Sequence, residues 1–236
     1  MTAPPHYQWH QHASSQAMSE AVAAAVVGAI ADALAMRGKA LIAVPGGATP
    51  VASFARLSAM ALPWRAVTIL PTDERVVPLG NPLRNMTMIE YWFGTKGATL
   101  VALVERGDDA LAEAQAADAR LHALAWPLDL TWLGMGGDGH TASLFAGPDL
   151  DAALDPACTR RAIALRPDPL PSEAPVARVS LSAAALVSAR TLLVTITGGT
   201  KRALIEQAAR DGAASPFPIG RLLAATSANV AVHWFP

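Results

Sequence analysis

The segment Leu133-Gly-Met-Gly-Gly-Asp-Gly-His140 sets an imidazole directly behind a turn rich in glycine, and the turn follows the apolar run Leu128 to Leu133. An imidazole titrates near neutrality and can take a proton and return it, so His140 is the first candidate for general acid-base work. Gly134, Gly136, Gly137 and Gly139 allow a tight backbone whose amides can face an oxyanion or phosphate. A lone histidine is equally at home as a hydrogen-bonded structural residue, so its neighbours must decide. The same stretch satisfies the dinucleotide pattern G-x-G-x-x-G. It lies mid-chain, however, with no acidic residue ending a further strand about 20 residues on, and nucleotide binding is not read from it.

Three other clusters could act with His140. In Val44-Pro-Gly-Gly-Ala-Thr-Pro50, the amides of Gly46, Gly47 and Ala48 and the Thr49 hydroxyl precede a proline suited to a first helical turn. A phosphate fits such a helix start, as does an ordinary strand-to-helix connection. It is not a Walker loop, because Gly-Lys-Ser/Thr is missing. In Leu70-Pro-Thr-Asp-Glu-Arg-Val-Val-Pro78, Arg75 offers a planar donor fork for a carbonyl or carboxylate, and Asp73 could orient it or a substrate hydroxyl. A local ion pair on a solvated loop is the plainer alternative, and the sequence does not say whether Asp73 or Glu74 faces a site. Arg178 before a strand and Lys201 after Thr197-Gly-Gly-Thr200 would add two cations suited to a phosphate. Ser143 is not read as a nucleophile, since no G-x-S-x-G elbow frames it.

These residues need a scaffold that brings strand ends together. Helical spacing from Ala17 to Met36, closed by Gly38, predicts a long Ala/Val-rich helix, followed by a strand at Ala40 to Val44. Further strands are expected at Ala66 to Leu70, Leu100 to Leu103, Leu128 to Leu133, Ala162 to Leu165, Ala177 to Leu181, Thr191 to Ile196 and Val230 to His233. Helical patterns at Pro50 to Ala59, Asn85 to Phe93, Asp108 to Ala123, Ala183 to Ser188 and Thr200 to Arg210 separate several of them. That alternation means an α/β fold with a mostly parallel sheet covered on both faces, whose ligands bind at the carboxyl ends of the strands. Pro167 to Pro175 reads as a surface loop, and no repeat divides the chain.

Bulk properties narrow the function classes. With 236 residues, 52% hydrophobic and 16% charged, the chain can bury one sizeable core as a single domain. Its 18 basic and 19 acidic side chains give a net charge of -1 without runs of one sign, which argues against nucleic acid as a partner. The lone Cys158 fits a reducing, cytoplasmic setting. Residues 1–16 carry His6, His10 and His12 but no signal-peptide pattern, and are expected to be a flexible terminus without a native metal role. The apolar stretch Ala21 to Ala31 is about half of what a membrane span needs, so no membrane is implied.

Taken together, Gly46-Gly-Ala-Thr-Pro50, Asp73-Glu-Arg75-x-Val-Pro78, Asn85, Gly134-Met-Gly-x-Asp-Gly-His140-Thr-Ala-Ser-Leu-Phe145, Arg178 and Lys201 resemble the 6-phosphogluconolactonase family in order and spacing. The resemblance spans nearly the whole chain and implies a three-layer αβα sandwich with a Rossmann-like sheet, shared with glucosamine-6-phosphate deaminases and ribose-5-phosphate isomerases. It implies hydrolysis of 6-phospho-D-glucono-1,5-lactone, with His140 as base and Asp73 and Arg75 from the Asp-Glu-Arg loop. Gly46, Gly47, Ala48, Thr49, Asn85, Gly136, Asp138, Arg178 and Lys201 fall in the substrate- and phosphate-binding set. No metal, cofactor or obligatory protein partner is implied. The chain departs from the family at Arg84, where Ser is usual, at Ala146, where Pro is usual, and in the ending His233-Trp-Phe-Pro236, which leaves the last strand and its contacts open. A deaminase or isomerase on the same fold is disfavoured by Arg75 in place of Tyr and by Ala142-Ser-Leu-Phe145 in place of Phe-Asn-Glu-Pro. A non-catalytic sugar-phosphate sensor would need a DNA-binding helix-turn-helix that the 16 residues before the first helix cannot form.

Overall fold

The computed structural model describes residues 7–147, 150–155 and 157–236. The elements in chain order are β1 (Tyr7–Gln11), α1 (Ser15–Arg37), β2 (Ala40–Val44), α2 (Val51–Ala59), β3 (Val67–Pro71), β4 (Asp73–Arg75), α3 (Asn85–Phe93), β5 (Thr99–Leu100) and α4 (Ala110–His122). They continue as β6 (Leu130–Gly134), α5 (Leu150–Ala153), β7 (Ala162–Leu165), β8 (Arg178–Leu181), α6 (Ala183–Val187), β9 (Thr191–Thr197), α7 (Gly199–Asp211), α8 (Pro218–Ala224) and β10 (Asn229–Phe235).

Seven strands form a parallel sheet in the order β1-β10-β9-β6-β2-β3-β5. Alternate residues of its fully buried strands serve opposite faces, as expected when helices cover both. Ile42, Val44, Leu130 and Trp132 pack with Val22, Val26 and Ile30 of α1, Phe54 of α2 and Phe93 of α3. Leu41, Ala43, Leu133, Leu192 and Val194 pack on the other side with Leu121 of α4, Ile205 of α7 and Leu222 of α8. The fold is therefore a three-layer α/β sandwich.

Two expected members of the parallel sheet lie elsewhere. β7 and β8 form an antiparallel sheet with β4, in the order β4-β8-β7. The Asp-Glu-Arg segment, read from sequence as a loop, is thus a short strand paired with β8. Strand pairing is nonlocal, and a three-residue charged strand carries no alternation to reveal it.

Helix α1 begins where Ser14 accepts from the Ala17 amide and ends at Gly38, whose φ of 71° stops the helix in the left-handed region. By length and composition it could cross a membrane, yet Val22, Val26 and Ile30 are fully buried against the sheet, which is the position of a core helix.

The expectation of a flexible 1–16 is corrected from Tyr7 onward. β1 pairs in register with β10, His10 opposite His233, and the His12 amide donates to the Trp234 carbonyl at 2.8 Å. The segment Asn229–Phe235 is thus a strand, which in turn gives the N-terminal segment a partner. His6 lies outside the described residues. His10 and His12 both stack on His233, with ring centroids 4.6 and 5.1 Å away, and His12 Nε2 lies 3.0 Å from His233 Nδ1.

Burial pushes the His233 pKa down to about 4, helped by His10 and His12. Since the unfolded imidazole has a pKa near 6.5, the unfolded state takes up the proton first. Stability is then complete above about pH 6.5 and falls as the pH drops toward 4, by on the order of 3 kcal/mol. Denaturant titrations at pH 7.5 and 4.5 should show this loss, and His233→Gln should flatten it; an unchanged slope in the variant would assign the loss to other groups.

Candidate active site

The described structure places a cleft of about 260 Å³ at the carboxyl ends of β2, β3, β6 and β9. This is the switch point of the sheet, where the strand order turns back across β2 to β6. Gly46, Gly47, Ala48, Thr49, Asp73, Arg75, Asn85, Gly136, His140, Arg178 and Lys201 all line it. Helices α2 and α7 start at its rim without a capping side chain; the Val51 amide that opens α2 turns back to the Ala48 carbonyl at 3.3 Å.

His140 is oriented on two sides. Its Nδ1 lies 2.6 Å from Asp138 Oδ1, and its ring stacks on Phe145 with centroids 4.1 Å apart. The Asp138 pKa is lowered to about 2, chiefly by the hydrogen bond from His140. An ionised carboxylate at this distance selects the tautomer with the proton on Nδ1 and leaves the Nε2 lone pair free. Gly136 makes room for this arrangement, because a Cβ there would fall 2.2 Å from His140 Cε1 and Nδ1. Asp138, expected among the substrate contacts, is not part of the cleft wall; it grips the imidazole from behind.

Asp73 and Glu74 separate as alternate residues of a strand must. Asp73 faces the cleft, where its Oδ2 accepts from Ser143 Oγ at 2.5 Å. Glu74 is fully buried; its Oε1 accepts from the Arg75 and Asn85 amides at 2.8 and 2.7 Å, and Oε2 from the Met86 amide at 2.7 Å. Burial pushes the Glu74 pKa up against these hydrogen bonds. Glu74 thus caps α3, whose N-cap residue Arg84 offers no side-chain bond. It also sets Asn85, whose Nδ2 donates to the Asp73 carbonyl at 2.8 Å. Gly46 is required beside it, since a Cβ would fall 1.9 Å from Asn85 Oδ1.

The cations gather on one side. Arg75 and Arg178 are direct partners across β4 and β8, an arrangement of like charges that is unfavourable without an anion. Arg75 Nη1 donates to the Leu83 carbonyl at 2.6 Å and Arg178 Nη2 to the Ala174 carbonyl at 2.8 Å. Arg75 Nε and Arg178 Nη1 are buried without a partner in the described structure. Burial and then Arg75 lower the Arg178 pKa. Lys201 Nζ donates to the Met135 carbonyl at 2.7 Å, which leaves two of its three donors. Against three cations the cleft wall has one carboxylate, that of Asp73.

Sequence reasoning missed Thr72 and Thr195, which also line the cleft. Thr72 stands next to Asp73 in the segment already singled out, whereas Thr195 lies within β9 and is delivered by strand pairing alone. It also missed the roles of Phe145 and Ser143, although both stand in the histidine segment, because the stacking and the bond to Asp73 are tertiary contacts.

Fold and site together define a three-layer α/β protein with a cation-lined cleft at the sheet's switch point and a carboxylate-oriented histidine inside it. The model of the family described as glucosamine-6-phosphate isomerases/6-phosphogluconolactonase matches residues 13–234, and the chain belongs to that family. Among its relatives, the 6-phosphogluconolactonase of Mesorhizobium japonicum is 37% identical over 211 residues, covering 86% of this chain and 85% of that protein. That of Neisseria meningitidis serogroup A is 33% identical over 234 residues, covering 97% and 99%. The crystal structure of a 6-phosphogluconolactonase from Shewanella baltica superposes with a TM-score of 0.88 at 28% identity over all of both chains.

Proposed function

We propose that this chain hydrolyses 6-phospho-D-glucono-1,5-lactone to 6-phospho-D-gluconate. The observation that carries the reading is the His140 imidazole, gripped through Nδ1 by Asp138, in a cleft with three cations and one facing carboxylate. Its support from outside the site is the lactonase name carried by the relatives.

In this reading His140 Nε2 takes a proton from a water as its oxygen bonds to C1 and the carbonyl electrons move to oxygen. Arg75 and neighbouring amides stabilise that oxyanion. On collapse, the bond from C1 to the ring oxygen breaks and His140 returns the proton to that oxygen, leaving a carboxylic acid that ionises. The Gly46 to Thr49 loop, Arg178 and Lys201 hold the 6-phosphate and so set the distance from C1 to the imidazole. Every step uses side chains, backbone amides and water. The proposed partner is thus a small phosphorylated sugar lactone in the cytoplasm; nucleic acid, membrane and a second protein have no part in it.

The test is acid release from freshly generated lactone, followed by a pH indicator with and without EDTA. Acceleration over the spontaneous rate that survives EDTA supports the reading, and abolition by EDTA overturns its metal-free step. No acceleration by folded protein transfers the assignment to an aldose-ketose or amino-sugar phosphate. Lys201→Ala should raise KM for the phosphorylated lactone by about tenfold, the loss of one charge-assisted bond, and spare activity on unphosphorylated gluconolactone. Equal loss on both substrates would take Lys201 out of the phosphate site.

A further inference from the structure

We propose that Ser143 is a positioning residue that holds the Asp73 carboxylate away from the arginine pair and so keeps the guanidinium donors free for an anion. The inference rests on the lactonase reading for its kinetic readout. Its ground is the bond between Ser143 Oγ and Asp73 Oδ2, 2.5 Å long, joining residues 70 apart in sequence.

Ser143 is 1% exposed, and its hydroxyl donates to Asp73 alone among the described residues. Ser180 Oγ approaches only its backbone amide, at 3.4 Å, and itself donates to the Leu181 carbonyl. A built turn brings the hydroxyl there. Thr141 Oγ1 is tied to the Gly134 carbonyl at 2.8 Å, and the Leu144 amide closes on the Thr141 carbonyl at 3.0 Å. Between them Ala142 has φ 48°, and it is the one non-glycine residue in the left-handed region among those described. Such a conformation costs free energy for a residue with a Cβ and persists where surrounding contacts impose it. Leu144 is fully buried, and Phe145 beyond it stacks on His140. One strained turn therefore steadies the imidazole and grips the carboxylate opposite.

The position of Asp73 needs such a grip. It shares the cleft with Arg75 and Arg178, each with a buried donor unused, yet forms an ion pair with neither. Its other restraints are weaker: Oδ1 has Thr72 Oγ1 at 3.4 Å and Asn85 Nδ2 at 3.5 Å. Removing the Ser143 hydroxyl leaves the carboxylate free to rotate onto the guanidinium groups, where it would compete with a bound phosphate.

Ser143→Ala should therefore raise KM for the phosphorylated lactone about tenfold, within the usual range for coupled contacting residues, and lower kcat as well, because Arg75 also serves the oxyanion. In an Asp73→Asn background the same substitution should have no further effect on KM. An equal penalty in both backgrounds, or normal kinetics with only a lowered Tm, would overturn the proposal. Ser143→Cys keeps the volume with a weaker donor and should fall between wild type and Ser143→Ala, which provides a folded variant should the alanine destabilise the turn. Calorimetric titration with inorganic phosphate separates the two readings: weaker phosphate binding by Ser143→Ala in a protein without lactonase activity would sink the lactonase assignment and leave Ser143's role standing, whereas unchanged binding would remove that role.

Discussion

Replacing His140 by Asn should lower kcat by roughly 10² or more, the usual scale for a lost acid-base group, while KM and Tm change little. Among the described residues the ring is bonded only to Asp138 and stacked on Phe145, and its side chain is 28% exposed, so little folding energy is tied up in it. Asn preserves a polar side chain but cannot accept and return a proton near neutrality. Gly136→Ala provides a second route to the same result without touching the imidazole. Its backbone is not in the left-handed region, so alanine is allowed there, but the new methyl would lie 2.2 Å from the ring and force it away from Asp138. A displacement of about 1 Å at a reacting group can cost 10²-fold. Steady-state kinetics with circular dichroism melting tests both variants. Near-normal turnover of His140→Asn would remove His140 from the chemistry, and normal turnover of Gly136→Ala would show that the ring's position is not critical.

The largest loss of stability is expected from Glu74→Ala. The substitution strips three backbone amides, those of half-buried Arg75 and of buried Asn85 and Met86, of their acceptor. Each buried donor left unsatisfied costs about 1–3 kcal/mol, and because the three share one carboxylate the total is on the order of 4 kcal/mol. For a chain of this length that corresponds to a Tm about 10 °C lower. Asn85 would lose its placement as well, so activity should fall before the protein unfolds. A calorimetric scan showing a Tm within 2–3 °C of wild type, on the roughly 2–4 °C per kcal/mol expected here, would mean that water replaces the carboxylate at little cost.

Much of the site was readable from the chain because chemistry and turn formation demand the same residues. Gly38 closing α1, the strand at Ala40 to Val44 and the glycine-framed His140 follow from local rules: a left-handed cap, an apolar run, a turn without side chains. The orientation of Asp138 is a local matter too, yet it was not readable. At a spacing of two residues its carboxylate can fold back onto the imidazole, but spacing alone does not say whether it does.

By itself, the sequence determined the alternation of strands and helices, hence a covered parallel sheet, and the residues that gather at its carboxyl edge. These are consequences of periodicity and turn chemistry, which act over a few residues. Tertiary structure alone decided that β4, β7 and β8 form a second sheet, that the N-terminal segment from Tyr7 completes the first, and that Asp73 faces the cleft while Glu74 holds α3. It also decided that Ser143 meets Asp73 across 70 residues. Each of these depends on which distant segments become neighbours, and that is set by the burial of both sheet faces and the pairing of strand edges, forces that leave no local pattern to read.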